Sequence, residues 1–111
     1  MTEIISVEIT CPDTANARQI ADMAVRERLA ACAHLHLPVE SVYHWKGAME
    51  RAQETLLVLE TRAALFPQLA ARARELHPYE LPSILARPVT AMTDDYRAWL
   101  IAETDGGDAA P

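Results

Sequence analysis

The sequence of 111 residues is 50% hydrophobic and carries a formal net charge of −6. This length and composition fit one domain with its own core, and the acidic balance disfavours nucleic acid as a partner, because nucleic-acid binders normally present a basic face. No apolar run approaches the roughly 20 residues that a helix needs to cross a bilayer, so no membrane partner is expected either.

The N-terminus and the cysteines bear on the cellular compartment. Met1, Thr2 and Glu3 lead directly into a strand-like segment, so the start of the sequence does not predict a secretory signal. The two cysteines are Cys11 and Cys32, and thiols stay reduced in the cytoplasm. We therefore predict a cytoplasmic location without a disulfide framework.

The first predicted elements are a strand and a helix. Branched apolar residues alternate with polar ones, which is typical of a strand: Ile5, Val7 and Ile9. Pro12 breaks this strand, and the carboxylate of Asp13 suits the N-cap of a helix. A helical spacing of apolar residues then predicts one buried helix face that runs to about Leu29: Ala17, Ile20, Ala21 and Ala24.

A long hairpin is predicted next. An extended segment, residues 31–45, is followed by a turn at Lys46 and Gly47 and by an antiparallel strand over about 53–62. Pro38 cannot donate a ladder hydrogen bond, so it predicts a bulge or an unpaired edge position. Two strands of this length exceed the needs of a small domain, so their ends are predicted to project and pair with another chain.

The second half predicts helix, strand and helix. An apolar stripe gives a helix over 65–76, with Pro67 near its first turn. His77 precedes a proline and therefore ends this helix. A strand follows over about 83–89, and Thr93 or Asp94 caps a last helix that carries three large residues: Tyr96, Trp99 and Leu100.

The order of elements, β-α-β-β-α-β with a C-terminal helix, predicts an α+β, ferredoxin-like sandwich. Its folded domain is predicted over residues 1–103, and the acidic segment 104–111 is predicted to be a disordered tail. Both helices would cover one face of the sheet. The third strand is apolar on both faces, with Leu57 and Leu59 on one and Leu56 and Val58 on the other, which favours self-association through the second face.

Short blocks of the sequence occur in a characteristic order: CPD (11–13), ERLAAC (27–32), SVYHWKG (41–47), ETLLVLET (54–61), HPYELP (77–82) and PV (88–89), followed by Tyr96 and Trp99. Together they extend over about residues 4–100 and resemble the divalent-cation-tolerance family CutA. Two positions depart from that family's pattern. Glu60 stands where the family usually has lysine, and His34 stands where it commonly has asparagine.

The resemblance implies a ferredoxin-like fold, a compact homotrimer, and similarity in fold and assembly to the PII signal-transduction proteins. It also implies a link to tolerance of divalent metal ions, copper above all, without an established catalytic reaction. The function expected from it is a trimeric binding protein for divalent metal homeostasis. The alternative is a PII-like regulator or scaffold that binds a small ligand at clefts between subunits.

Two groups of residues are candidate metal ligands. Alternation along a strand puts Cys32, His34 and His36 on one face, and thiolate with imidazole suits copper or zinc, such as Cu(II) or Zn(II). The other hypothesis for this group is a buried cysteine beside two histidines that face solvent. The second group, His77 and Glu80, lies on a loop stiffened by proline. The alternative there is a turn that ends the helix, with no ligand role.

Cys11 is a separate candidate, since a thiol before a helix N-terminus has a lowered pKa; the alternative is a small buried thiol. Aromatic residues are predicted either to line a ligand cleft or to pack at the trimer contact: Tyr43, Trp45, Tyr79 and Trp99. No catalytic constellation is recognised, because the serines lack a glycine-flanked elbow and the few glycines form no phosphate loop. We therefore predict that the protein is not an enzyme.

Overall fold

The computed structural model describes residues 2–104. Its elements are β1 (Ile4–Cys11), α1 (Thr14–Arg26), β2 (Cys32–Trp45), β3 (Ala48–Arg62), α2 (Phe66–Leu76), β4 (Ile84–Pro88) and α3 (Asp94–Thr104), with a 3-10 turn at Ala63–Leu65 before α2. This order is the predicted one. Within the described residues, no helix has both the length and the apolar character that a membrane span requires.

The four strands form one antiparallel sheet in the order β2-β3-β1-β4. Helices α1 and α2 pack on one face of it, over a core in which the apolar faces of β1 and β3 meet the apolar stripes of both helices. The largest contributors to this core are fully buried: Val7, Ile9, Ile20, Leu57, Leu59 and Leu69. The fold is therefore the predicted α+β ferredoxin-like sandwich, with α3 added to it.

Helix α1 begins as predicted and ends earlier than predicted. The side chain of Asp13 accepts a hydrogen bond from the backbone N–H of Asn16 at 2.8 Å, which satisfies one of the free amides of the first turn. The helix ends at Arg26 instead of near Leu29, because Arg28 takes a left-handed conformation with φ of 59°. Leu29 lies beyond that reversal and is still buried in the core.

We expect Asp13→Ala to lower the free energy of unfolding by about 1 kcal/mol, because the amide of Asn16 loses its acceptor. Chemical denaturation at fixed protein concentration measures the change. Asp13→Asn is the control, since its side-chain oxygen also caps a helix. Equal losses in both variants would mean that the cap contributes nothing.

The hairpin between β2 and β3 is turned by two residues with positive φ, Lys46 at 51° and Gly47 at 85°. Such a two-residue turn matches the twist of the flanking strands. Because it is so short, β3 begins at Ala48, five residues before the predicted start at 53. The pairing then continues along the whole hairpin, from Trp45 opposite Ala48 to Cys32 opposite Glu60.

Pro38 lies in a β-bulge, as predicted. The register between β2 and β3 shifts between His36 and Val39, so one extra residue of β2 is accommodated there. Because of the bulge, the two halves of β2 direct corresponding side chains to the same face of the sheet. His36 is opposite Leu56 and Val39 is opposite Glu54, so both face away from α1 and α2.

The sheet face away from α1 and α2 is called the open face here. Its apolar side chains are less buried than those of the core: Leu56 and Val58 are half-buried, and Leu85 on β4 is 40% exposed. An ion pair between Arg87 and Glu8, at 3.0 Å, lies on the same face. One protomer therefore leaves this face largely uncovered, and the homotrimer stays a prediction.

Helix α3 covers one end of the open face. Ile4 and Ala31 form a small second core with Leu100 of α3. The buried side chain of Arg62 donates from Nε to the hydroxyl of Thr104 at 2.9 Å and from Nη2 to its carbonyl at 2.7 Å. Thr104 is thus the fully buried last residue of the helix, one residue beyond the predicted domain boundary. The rest of the predicted tail, 105–111, lies outside the described residues.

We expect deletion of 105–111 to leave assembly intact and to change the free energy of unfolding by no more than about 0.5 kcal/mol. Deletion from residue 101 onward is the comparison. It removes both Thr104 partners of the buried Arg62 guanidinium, so a loss of roughly 2 kcal/mol or more is expected. Thermal and chemical denaturation distinguish the two, and a large loss in the short deletion would show that 105–111 contributes to packing.

Candidate functional site

A cleft of about 750 Å³ lies between the β2–β3 hairpin and the loop that follows α2. Strand residues of the open face form one side of it, and residues 78–83 form the other. Most of its large side chains are aromatic or acidic. These aromatic and acidic side chains are Tyr43, His44, Trp45, Glu54, Tyr79 and Glu80.

The loop beside the cleft is fixed by His77, which is 7% exposed. Nε2 of His77 donates to the carbonyl oxygen of Thr10 at 2.8 Å, because that oxygen can only accept. Nδ1 accepts the backbone N–H of Tyr79 at 3.2 Å, because that amide can only donate. Both ring nitrogens are thus engaged in holding the loop to β1, which favours the structural interpretation of His77 over a metal-ligand role.

Glu80, the partner predicted for His77, is exposed at the rim of the cleft. Its backbone carbonyl accepts a hydrogen bond from Arg74 at 3.3 Å. Among residues 2–104, the close grouping of potential metal ligands includes neither His77 nor Glu80. That grouping has three members, so it does not test a site made of His77 and Glu80 alone, and their role as metal ligands stays a prediction.

The inner wall of the cleft holds a buried carboxylate, Glu54, which is 5% exposed. The hydroxyl of Tyr79 donates to Glu54 Oε2 at 2.5 Å. Burial and the hydrogen bond to Glu54 raise the pKa of Tyr79 well above its ordinary value. Tyr79 therefore stays a protonated donor at neutral pH. The sequence predicts Tyr79 but not Glu54 as a site residue, because nothing in the spacing of Glu54 marks it as the partner of a residue 25 positions away.

Three of the four predicted cleft aromatics meet at this site. Tyr43 and Trp45 share the open face of β2 and are 40% and 37% exposed, and Tyr79 faces them from the loop. The fourth, Trp99, lies on α3, where its ring packs on Tyr96 with the centroids 5.4 Å apart. The structure thus brings the first three together and leaves Trp99 outside the cleft of this protomer.

A second group of polar side chains lies at the end of the open face beneath α3. Sγ of Cys32 is 3.7 Å from Nε2 of His34 and donates to Oε1 of Glu60 at 3.1 Å. The ligand atoms of the three residues all lie within 4.8 Å of one another. His36, the third residue of the predicted strand group, is exposed and is not part of this cluster. Glu60 takes its place because it is paired with Cys32 across the hairpin.

Tyr96 of α3 closes this second group. Its hydroxyl donates to Oε1 of Glu60 at 2.6 Å and lies 3.4 Å from Sγ of Cys32. Burial raises the pKa of Cys32, and the carboxylate of Glu60 acts in the same direction. The hydrogen bonds to Cys32 and Glu60 in turn raise the pKa of Tyr96. At neutral pH both the thiol and the phenol therefore carry protons that they share with one carboxylate.

Cys11 is the small buried thiol of the two alternatives. It has no exposed surface, and burial, with the nearby charges of Asp13 and Glu54, raises its pKa to about 11. The expectation of a lowered pKa is wrong, because burial and the charges of Asp13 and Glu54 raise the pKa of Cys11 by more than the helix N-terminus lowers it. A thiol of this kind is inert at neutral pH.

Comparison with known proteins places this geometry in a family. Residues 5–103 match the family model described as CutA1 divalent ion tolerance protein. The divalent-cation tolerance protein CutA of Thermus thermophilus is 41% identical over 98 residues, covering 88% of this chain and 95% of that protein. Protein CutA of mouse is 37% identical over 97 residues, but the chain spans only 55% of its length.

Solved structures agree with the sequence relatives. The structure of the divalent cation tolerance protein from Thermus thermophilus superposes with a TM-score of 0.87 at 40% identity, covering 94% of this chain and 99% of that one. CutA from Xylella fastidiosa superposes with a TM-score of 0.89 at 35% identity, covering 92% and 98%. Because the family model matches residues 5–103, nearly all of the described fold, the chain belongs to the CutA1 family of divalent ion tolerance proteins.

Proposed function

We propose that this chain works as a homotrimer that binds divalent metal ions, copper foremost, as its part in divalent-cation tolerance and homeostasis. Its action is binding and not catalysis, and the ion is its cargo. The names of the relatives support the link to divalent cations. The cytoplasm is the compartment we propose, which fits the two free thiols of Cys11 and Cys32.

The proposal of a trimer rests on the open face of the sheet. Helices α1 and α2 cover one side of the sheet, while on the other side Leu56 and Val58 are only half-buried and Leu85 is 40% exposed. Exposed, contiguous apolar surface on a sheet is typical of an interaction site. The long edge strand β2 adds unpaired backbone groups beside that surface.

The assembly is tested by light scattering and native mass spectrometry at micromolar concentration. We expect three times the chain mass of 12.3 kDa. Leu56→Glu puts a charge on the open face and is expected to shift the protein to monomer. Gln19→Glu, on the exposed side of α1, adds the same charge elsewhere and should leave the mass unchanged. A monomeric wild type would contradict the proposal.

Metal binding is tested by titration calorimetry with Cu(II) and Zn(II), using protein stripped with chelator and shown to be trimeric. We expect dissociation constants well below millimolar, that is, a binding free energy more favourable than about −4 kcal/mol. If neither ion binds more tightly than that, the proposal that this protein binds divalent metal ions directly is wrong. The family's link to cation tolerance would then be indirect in this protein.

The cleft favours a second candidate function, that of a PII-like regulator. A cavity of about 750 Å³ is within the range of small-molecule sites, and it offers aromatic surface beside the buried Glu54. Lys46 is the single lysine of the chain, which counts against an anionic nucleotide as the ligand. Native mass spectrometry of gently purified protein tests this function, because a retained small molecule would add a fixed mass per subunit.

A further inference from the structure

We infer that Cys32, His34 and Glu60 form a specific binding site for a borderline-soft divalent cation of the zinc type, with Tyr96 positioning the carboxylate. This inference rests on the proposed metal-binding function and names its site. The site lies at the Arg62 end of the hairpin beneath α3, whereas the cleft lies towards the hairpin turn. The two are therefore separate places on the open face.

The geometry is close to that of a metal site before the ion enters. Zinc binds sulfur at about 2.3 Å and nitrogen or oxygen at about 2.0–2.2 Å, so neighbouring ligand atoms around a tetrahedral ion are roughly 3.5 Å apart. In the structure, Sγ of Cys32 is 3.7 Å from Nε2 of His34 and 3.1 Å from Oε1 of Glu60. The third pair of ligand atoms, on His34 and Glu60, lies within 4.8 Å. Side-chain rotation that closes this pair by up to about 1.3 Å and changes the other two separations by less than about half an ångström would bring the atoms into place.

The chemistry of the three ligands suits the same class of ion. Thiolate, neutral imidazole and carboxylate are the donors that protein zinc sites use, and three such ligands leave a fourth position for water. The thiol of Cys32 now donates its proton to Glu60. When the ion enters, that proton leaves to solvent and the Sγ–O hydrogen bond is replaced by two bonds to the metal.

The backbone fixes the site before any ion is present. His34 follows Cys32 by two residues on one strand, and Glu60 is directly opposite Cys32 in the register of the hairpin. Tyr96 holds Oε1 of Glu60 through a 2.6 Å hydrogen bond from α3. A hydrogen bond of this kind orients a ligating carboxylate, and its loss typically costs 10–100-fold in metal affinity.

The test titrates Zn(II) into trimeric, chelator-stripped protein and follows Co(II) as a spectroscopic substitute. Wild type is expected to bind with a thiolate-to-cobalt charge-transfer band and the intense visible absorption of a tetrahedral ion. His34→Asn and Glu60→Gln are each expected to lose roughly 100-fold or more in affinity. Tyr96→Phe is expected to lose about 10-fold and to regain the same cobalt spectrum at saturation, because it removes no ligand.

His36→Ala is the matched control, since His36 lies on the same face of the same strand and outside the cluster. Its affinity should equal that of wild type, as should that of His77→Ala. Wild-type binding that His34→Asn and Glu60→Gln leave unchanged would overturn the site while the proposed function stands. Absence of any Zn(II) or Cu(II) binding to wild type would overturn the proposed function and the site together.

Discussion

Leu59→Ala is expected to lower the free energy of unfolding by about 2–5 kcal/mol. Leu59 has no exposed surface, and on the helix-covered face of the sheet it lies between Val7 of β1 and Ala33 of β2. The surrounding core can relax only partly into the space that the missing side-chain atoms leave. Chemical denaturation at fixed protein concentration measures the loss, and an effect below about 1 kcal/mol would mean that this core is loosely packed.

Leu56→Ala is the companion variant, because Leu56 lies three residues earlier on the same strand and faces the other side. In one protomer it is only half-buried, so its effect on the fold of the protomer should be smaller than that of Leu59→Ala. If the open face is the trimer contact, the variant should instead dissociate at higher protein concentration than wild type. A dilution series followed by light scattering separates the two effects.

His77→Ala is expected to lower the free energy of unfolding by about 1–3 kcal/mol, since it leaves the carbonyl of Thr10 and the amide of Tyr79 without their partners. The loop at the cleft should loosen as a result. The affinity for Zn(II) should not change, because neither ring nitrogen of His77 is free to bind an ion.

His77→Gln and His44→Ala complete this experiment. A glutamine at position 77 can restore the donor to Thr10, so it should recover part of the lost stability. His44 is exposed on the hairpin, and its replacement should change stability by less than about 0.5 kcal/mol. A loss of metal affinity in His77→Ala, with stability preserved, would contradict the structural role and favour the loop as a metal site.

Much of the fold could be predicted from the sequence because its signals are local. The alternation around Val7 gave β1, the carboxylate of Asp13 gave the start of α1, and Pro38 gave the bulge in β2. The least accurate boundaries were the end of α1 and the start of β3. The end of α1 depends on the left-handed conformation of Arg28. The start of β3 depends on a hairpin turn of only two residues, and the periodicity of segment 48–52 was too weak to predict that the strand begins there.

The sites could be predicted only in part, because each joins residues that are distant in the sequence. Alternation alone placed Cys32, His34 and His36 on one face. The register of β2 against β3 then determined which residues form the metal-ligand cluster, since pairing across the hairpin puts Glu60, 28 residues away, beside Cys32. The packing of α3 against the sheet then brought Tyr96 within hydrogen-bond distance of Glu60.

By itself, the sequence determined which residues alternate, which segments form helices, and which side chains are able to bind a metal ion. Only the tertiary structure decided which of those side chains meet. The ring of His77 bonds to Thr10, 67 residues earlier, and Trp99 packs on Tyr96 instead of lining the cleft. The physical reason is that a strand or helix fixes the direction of a side chain, whereas its partner depends on register and on the docking of elements that are far apart in the chain.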